Sequence, residues 1–161
     1  MKVLMLNGSC NPKGCTYTAL TEVGKTLTSA GIDYEIVQLD GDPVRDCIGC
    51  NQCSKSGCVF TDGGVNDFIA KARQADGFVF GTPVYYAHPS GRVLSFLDRV
   101  FYAGGSAFAG KPGAAVASAR RAGTTASLDA LGGKYHTPEG ASVWLADVEL
   151  QPYQALLVKK A

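Results

Sequence analysis

The sequence lacks an excess of charge of either sign, and it lacks a long apolar run. Its 161 residues carry 15 Lys and Arg against 14 Asp and Glu, a formal net charge of +1 at pH 7. Nucleic acid is not an expected partner, because proteins that bind its phosphates concentrate basic residues on one face. The first apolar segment, Val3–Leu6, is too short for a signal-peptide core or a membrane span. We expect a cytoplasmic protein with no membrane partner.

Motifs of several common enzyme classes are also missing. The sequence contains no Gly-Lys-Ser/Thr P-loop and no G-x-G-x-x-G dinucleotide fingerprint. Neither a Ser-His-Asp arrangement nor a G-x-S-x-G elbow supports hydrolase chemistry. Without a repeat or an interdomain linker, the length predicts one compact domain over residues 1–161, with a Cys-rich loop at 41–64.

The order of apolar segments predicts strands that alternate with helices. Lys2–Leu6 is expected to be a buried central strand, Thr16–Ala30 an amphipathic helix and Tyr34–Leu39 a second strand parallel to the first. The further elements are a helix at Val65–Ala72, a strand at Gly77–Gly81, a helix at Val93–Phe101, a strand at Gly113–Ala119, a helix at Thr124–Leu131 and a strand at Ser142–Leu145. This order predicts an α/β three-layer sandwich with a central parallel sheet.

The loop between the first strand and the first helix has the composition of an anion site. Residues 9–18 (SCNPKGCTYT) contain three Ser and Thr hydroxyl side chains near Lys13 and Gly14. The helix that follows presents unpaired N–H groups and its positive dipole end to the same edge of the sheet. The expected ligand is the phosphate of a mononucleotide. The alternative is that Thr16 only caps the helix while Gly14 and Pro12 only turn the chain.

A second segment of the same edge has an aromatic character. Residues 81–86 (GTPVYY) leave the third strand beside the first loop if the strand order is 2-1-3-4-5. In flavodoxin-like folds of that order, the ligand crevice lies at this switch point. Pro83 gives the segment rigidity, and the segment is expected to border a planar ring system. The alternative is that the tyrosine pair forms a dimer contact.

Taken in order along the chain, these segments resemble the NADPH-dependent FMN reductase family, and within it the iron-sulfur flavoprotein branch. The matching residues are 7–16 (NGSCNPKGCT), 47–53 (CIGCNQC), 57–59 (GCV), 75–86 (ADGFVFGTPVYY), 90–91 (SG) and 97–99 (LDR). Cys10 and Cys15 depart from the family's G-S-P-R-x-x-G-N-T loop, in which Pro and Asn are usual at these positions.

The resemblance implies a flavodoxin-like fold that binds FMN non-covalently and takes reducing equivalents from NAD(P)H. By position, the residues implied to hold the phosphate are Ser9, Asn11, Thr16, Tyr17 and Thr18. Those implied to border the ring are Pro83, Val84, Tyr85 and Tyr86, and those implied to close its other edge lie in the loop that contains Ser118, Arg120 and Gly123. No side chain is expected to act as a catalytic acid or base, because the flavin N5 carries the chemistry. A small-molecule or protein redox partner is expected, and a homo-oligomer, dimer or tetramer, is plausible for shared flavin sites.

Four of the six cysteines, Cys47, Cys50, Cys53 and Cys58, are close together in the sequence. A cytoplasmic protein has no oxidising compartment in which to join them as structural disulfides. Their C-x2-C-x2-C-x4-C spacing is close to that of cluster-binding runs and unlike the separated pairs of structural zinc sites. The resemblance points the same way, to a [4Fe-4S] cluster near FMN. A zinc ion and an empty loop of reduced thiols remain alternatives.

Two functions of other classes also remain open at this point. One is a flavodoxin-like electron carrier without turnover of its own, and the other is a zinc-stapled binding module. Apart from these, Asp98 and Arg99 near the end of a predicted helix are expected to form a structural pair.

Overall fold

The chain folds around a parallel β-sheet. The computed structural model describes residues 1–39, 41–53 and 57–131, and the backbone of three two-residue strands beyond them. The elements are β1 (Lys2–Asn7), α1 (Cys15–Ser29), β2 (Asp33–Gln38), α2 (Val65–Ala72), β3 (Gly77–Tyr85), β4 (His88–Pro89), α3 (Gly91–Gly104), β5 (Gly113–Ser118), α4 (Thr124–Leu131), β6 (Tyr135–His136), β7 (Ser142–Val143) and β8 (Lys159–Lys160). Within the described ranges, no helix combines the length and the hydropathy that a bilayer crossing requires.

Four parallel strands lie side by side in the order β2-β1-β3-β5. Asn7 of β1 is level with Gly81 of β3, which is level with Val116 of β5. The three strands therefore end at one edge of the sheet, and the loops that follow them are neighbours. The flavodoxin-like α/β fold predicted from the sequence is confirmed. Beyond the shared edge, β3 continues to Tyr85 and forms a hairpin with β4.

The predicted strand at Ser142–Leu145 does not extend the parallel sheet. Ser142–Val143 pairs antiparallel with Tyr135–His136, in a small separate sheet that also contains Lys159–Lys160. Leu145 lies outside the described residues. Only five positions separate β6 from β7, a spacing that suits antiparallel neighbours, whereas a parallel partner needs a crossover of about a dozen residues or more.

Both faces of the parallel sheet are covered by helices, which accounts for the uninterrupted apolar sequence of β1. On one face, Met5 and Val79 pack against Leu20 of α1. On the other face, Leu4, Leu6, Phe78 and Phe80 form one cluster with the buried side chains of α2 and α3. Those side chains are Val65, Phe68, Ile69 and Ala72 in α2, and Val93, Phe96, Leu97 and Val100 in α3. All eight residues stand at the positions where the helical periodicity of the sequence placed the apolar faces of these helices.

The C-terminus of α1 is capped by a glycine in the left-handed conformation. Gly31 has a φ of +72°, and its N–H donates to Thr28 O at 3.0 Å. The Ile32 N–H donates to Leu27 O at 2.9 Å. These two bonds form a Schellman cap, which needs a residue that tolerates positive φ. The cap thereby fixes the end of α1 that is remote from the loop after β1.

Candidate functional site

The loops that follow β1, β3 and β5 meet at one edge of the sheet. Thr16 Oγ1, at the start of α1, lies 2.7 Å from Ser118 Oγ at the end of β5. Cys10 Sγ lies 3.5 Å from the hydroxyl of Tyr85 at the end of β3. This hydrogen bond, followed by burial, raises the pKa of Tyr85 above its ordinary value. The sequence-based prediction placed these three loops together.

The loop after β1 begins at a glycine that no other residue could replace without displacement. A β-carbon at Gly8 would lie 2.0 Å from Val93 Cγ2 and 2.8 Å from Gly81 O. Gly8 also donates its N–H to that same carbonyl at 2.8 Å. Further along, Ser9 Oγ accepts the N–H of Asn11 at 3.1 Å. The Ser9 hydroxyl therefore keeps its proton free to donate to a ligand.

Two hydrogen-bonded amide side chains, the buried Asn7 and the half-buried Gln38, support this loop, and sequence reasoning missed the pair. Asn7 is fully buried, and its Nδ2 donates to Gln38 Oε1 at 2.6 Å while its Oδ1 accepts the Ser9 N–H at 3.2 Å. Gln38 Nε2 donates to Ser9 O at 2.7 Å and to Leu39 O at 2.8 Å. The available signal in the sequence was Asn7, a polar residue at the end of the apolar strand β1. Its partner depends on the register of β1 against β2.

The start of α1 is open to an anion. The N–H groups in the first turn of any α-helix lack an intrahelical acceptor, and no side chain supplies one at Gly14, the N-cap residue. Thr16 does not act as a cap, because its hydroxyl is paired with Ser118. Thr18 Oγ1 bonds back to Gly14 O at 3.2 Å, and Tyr17 is half-buried. Asn11 Oδ1 accepts the Lys13 N–H at 3.2 Å. Of the predicted phosphate residues, Ser9, the Asn11 Nδ2 and the first-turn backbone N–H groups at Thr16 and Tyr17 keep donors available.

The β3–β4 hairpin carries strained backbone at the site. Tyr86 and Ala87 form its two-residue loop with φ values of +53° and +67°, the signs of a type I′ turn that glycine or asparagine usually occupies. Pro83 is buried and Val84 half-buried, whereas Tyr85 is 52% exposed and Tyr86 fully exposed. Strain of this kind concentrates at ligand sites.

The loop after β5 closes on that hairpin. Gly123 has a φ of +95°, and a β-carbon there would lie 2.6 Å from Ala87 Cα and 2.8 Å from Val84 Cγ1. Ser118 reaches the start of α1 through its bond to Thr16, whereas Arg120 is exposed. The structure thus brings Ser118 and Gly123 to the edge and leaves Arg120 on the surface of the loop.

A second site lies in the long loop after β2. All four predicted metal ligands, Cys47, Cys50, Cys53 and Cys58, line one pocket together with Phe60, Arg99 and Tyr102. None of the cysteines forms a disulfide. Burial, and then the charges of the other three cysteines, raises the pKa of Cys53. Among the residues that the structure describes, no three metal-binding side chains are grouped closely enough to hold a single ion. The thiols share a pocket without forming the tight tetrahedron of a zinc site.

Arg99 of α3 holds the loop around this pocket. Its Nη1 and Nη2 each lie 3.2 Å from a carboxylate oxygen of Asp62, and Nη2 donates to Phe60 O at 2.8 Å. Burial opposes ionisation of Asp62, but Arg99 outweighs that effect and lowers the pKa of the carboxyl. The structural pair predicted at Asp98 and Arg99 is wrong in its partner, because Asp98 is exposed and Arg99 points to the loop.

The helix α3 connects the two sites. At its start, the Ser90 N–H donates to Thr82 Oγ1 at 3.1 Å beneath the β3–β4 hairpin. Within the first two turns, Arg92 Nη2 donates to Gly41 O at 2.8 Å, and Ser95 Oγ donates to Asp46. Arg99 follows on the same face. One helix therefore fixes the hairpin and the cysteine loop relative to each other.

The comparison with known protein families decides the relationship. A model described as NADPH-dependent FMN reductase matches residues 1–138. The chain belongs to the NADPH-dependent FMN reductase family. The resemblance read from the sequence is thereby confirmed.

Curated relatives of this FMN reductase family member include iron-sulfur flavoproteins from two archaea. One, from Methanocaldococcus jannaschii, is 34% identical over 100 residues, which are 62% of this chain and 51% of that protein. Another, from Archaeoglobus fulgidus, is 32% identical over 99 residues, which are 62% of this chain and 48% of that protein. The chain spans about half the length of the curated relatives it matches.

Solved structures of proteins with low sequence identity to this chain share its fold. RosB, solved with bound 8-demethyl-8-formylriboflavin-5'-phosphate, is 15% identical with a TM-score of 0.57, over 80% of this chain and 56% of that one. An NAD(P)H:quinone oxidoreductase from Methanothermobacter marburgensis is 19% identical with a TM-score of 0.53, over 65% of this chain and 55% of that one. At these identities, the similarity establishes the FMN reductase fold alone.

Proposed function

We propose that this protein is an FMN-dependent oxidoreductase that takes reducing equivalents from NAD(P)H. The observation that carries the proposal is the convergence of three loops around the uncapped start of α1, in a chain of the FMN reductase family. FMN supplies hydride and electron chemistry at its N5 atom when bound. The task of the chain is to bind, orient and shield it.

The phosphate end of the site is supported by the donors at the start of α1. The first-turn N–H groups and the positive end of the helix dipole favour a phosphate there. The free proton of the Ser9 hydroxyl adds one donor, and Lys13 adds an exposed positive charge in the same loop. Asn7 and Gln38 hold the loop in place from below. Asn11, Tyr17 and Thr18 are proposed contacts by position in the family loop.

The ring end of the site is supported by the shape of the two other loops. Pro83, Val84 and Tyr85 end β3, and Tyr86 follows in the hairpin loop. These four residues are proposed to form one wall of the ring site. Gly123 packs against Ala87, so the loop after β5 forms the opposite side. Backbone groups along such a wall can pair with the polar edge of a planar ring. Arg120 and Ser118 are proposed to border that second side.

We further propose that the cysteine pocket binds a [4Fe-4S] cluster, which would exchange single electrons with the flavin. Four free thiols that line one pocket at cluster-type spacing support this assignment. The curated relatives named iron-sulfur flavoproteins support it as well. The redox partner is proposed to be a small molecule or a protein, and the assembly a homo-oligomer.

An absorption spectrum and an FMN titration of the purified protein test the flavin assignment. We expect yellow protein that binds FMN and oxidises NADPH with a quinone or ferricyanide as acceptor. Ser9→Ala should weaken FMN binding about 10- to 100-fold, the range expected for one hydrogen bond to a charged group. The matched control is Ser29→Ala, at the far end of α1, where the hydroxyl bonds only Lys25 O. Colourless protein that takes up no FMN would contradict the proposal.

Iron and sulfide analysis after anaerobic reconstitution tests the cluster assignment separately. We expect about four iron and four sulfide per chain, and loss of both when Cys50 and Cys53 are replaced by Ser. Protein that is full of flavin but free of iron, or that holds zinc instead, would refute the cluster while leaving the flavin assignment intact. NADPH turnover distinguishes a reductase from an electron carrier, which would be reduced only by a protein donor.

A further inference from the structure

A buried positive charge faces the cysteine pocket. Arg99 is 1% exposed, yet its side chain lines the pocket formed by Cys47, Cys50, Cys53 and Cys58. Burial of a guanidinium is unfavourable unless neighbouring groups balance its charge. In the described part of the chain, its only carboxylate partner is Asp62, whose side chain is 40% exposed to solvent. On its inner side, towards the thiols, Arg99 interacts with the side chain of Cys58.

One N–H group of Arg99 lacks an acceptor. Nη1 and Nη2 are used by Asp62 and by the carbonyl oxygens of Arg45 and Phe60. The Nε–H is buried and has no hydrogen-bond acceptor among the residues that the structure describes. Buried polar groups are almost always paired, so an unpaired donor on the wall of a pocket points to a ligand that is anionic or accepts hydrogen bonds.

A thiolate-bound cluster would supply an acceptor for the Nε–H and a negative charge beside the guanidinium. Four thiolates around a cluster core of charge 2+ would carry a net charge of about −2, and one added electron would make that charge about −3. A buried cation nearby favours the more negative state, and hydrogen bonds to cluster sulfurs act in the same direction. The electron would come from the reduced flavin.

We propose that Arg99 is the charge counterpart of the cluster in the cysteine pocket and raises the reduction potential of that cluster. This inference rests on the proposed cluster. Arg99 acts as a positioning residue for the loop and as a fixed charge for the centre. Its place on α3, the helix that also anchors the β3–β4 hairpin, puts this charge on the element shared by both sites.

Arg45 provides a matched comparison within the same loop. Its guanidinium lies over the ring of Phe60 at 4.7 Å from the centroid, and the residue is exposed. It carries the same charge as Arg99 close to the same pocket, but water and salt screen it. If burial of the charge is what matters, Arg99→Gln should change the cluster equilibrium more than Arg45→Gln does.

The test is an anaerobic redox titration with dithionite of the full chain, reconstituted with FMN, ferrous iron and sulfide. We expect Arg99→Gln to shift the one-electron equilibrium of the cluster at least tenfold towards the oxidised form, equivalent to about 59 mV. Arg99→Lys should recover most of that shift because it restores the charge. Arg45→Gln should shift the equilibrium less than threefold. Equal equilibria for Arg99→Gln and the unaltered chain would overturn the proposal.

A second pair of variants keeps the proposal testable if Arg99→Gln does not fold. Asp62→Asn removes the partner carboxylate and leaves the charge of Arg99 unbalanced, so the equilibrium should shift severalfold towards the reduced form. Asp42→Asn, an exposed loop residue, is the control and should have no such effect. An unchanged equilibrium in Asp62→Asn would overturn the proposal.

Measurements of flavin content and iron content distinguish failure of this inference from failure of the proposed function on which it rests. Flavin absorbance reports the FMN site, and iron and sulfide report the cluster. If the chain binds both groups but substitution of Arg99 leaves the cluster equilibrium unchanged, only the role of Arg99 is refuted. A chain that binds flavin and takes up no iron refutes the cluster proposal and this inference together, and leaves the flavin assignment standing.

Discussion

The two-residue loop of the β3–β4 hairpin stores backbone strain that a single substitution should release. Ala87 has a φ of +67° and is exposed. A residue with a β-carbon in the left-handed region loses about 1–2 kcal/mol, whereas glycine in place of alanine loses about 0.5–1 kcal/mol through the entropy of the unfolded chain. Ala87→Gly should therefore stabilise the protein by about 0.5–1 kcal/mol, because no buried contact of the Ala87 side chain is lost.

Urea unfolding of flavin-free protein measures this difference without a contribution from ligand binding. The matched control is Ala122→Gly, an exposed alanine in the loop after β5 whose φ is not positive. There the entropy term acts alone, and we expect destabilisation by about 0.5–1 kcal/mol. The two substitutions are chemically identical, and the structure predicts opposite signs. Destabilisation of similar size in both variants would refute the assignment of strain to the hairpin.

Two further predictions concern the loop after β1 and the surface of the sheet. Gly8→Ala should destabilise the protein by about 1–3 kcal/mol, because the new methyl group would overlap Val93. In a Val93→Ala background, urea unfolding should show a smaller loss of stability from Gly8→Ala. An equal loss would contradict the overlap. Glu35 bonds Lys2 at 2.6 Å and Lys71 at 2.5 Å, and these bonds lower the pKa of its carboxyl below the ordinary 4.5. The carboxylate thus contributes stability above pH 4.5 that is lost as the pH falls through the lowered pKa, by up to about 1 kcal/mol for a partly exposed group. In Glu35→Gln this acid-dependent loss, measured from urea midpoints at pH 6 and pH 3, should shrink; an unchanged loss would show that the lysine bonds contribute nothing.

Local periodicity was sufficient to predict the layers of the fold. The apolar residues of α2 and α3 recur at helical spacing, and those positions are buried because a helix that covers a sheet has only one face to bury. The bounds of α4, Thr124–Leu131, agree with the sequence-based prediction. A strand was predicted at Ser142–Leu145, but its antiparallel pairing with Tyr135–His136 was not, because strands of two residues have no period that indicates a partner.

The candidate sites divide in the same way between local and non-local information. Ser9 and the start of α1 could be placed from the sequence, because a loop that joins a parallel strand to a helix must lie at the carboxyl edge. The cysteine spacing likewise marked its loop as a candidate metal site. Asn7 could not be matched to Gln38, nor Arg99 to Asp62, because each pair is more than thirty residues apart in sequence.

The sequence by itself determined which segments become strands and helices, and which loops carry donors and thiols, since these depend on spacing and composition over a few residues. The tertiary structure alone decided that Thr16 pairs with Ser118, that Gly123 closes on Ala87 and that Arg99 faces the cysteine pocket. These contacts depend on the register of neighbouring strands and on the packing of α3 across the sheet. The physical reason is that register and packing are fixed by the combined burial of many side chains, which no short segment encodes.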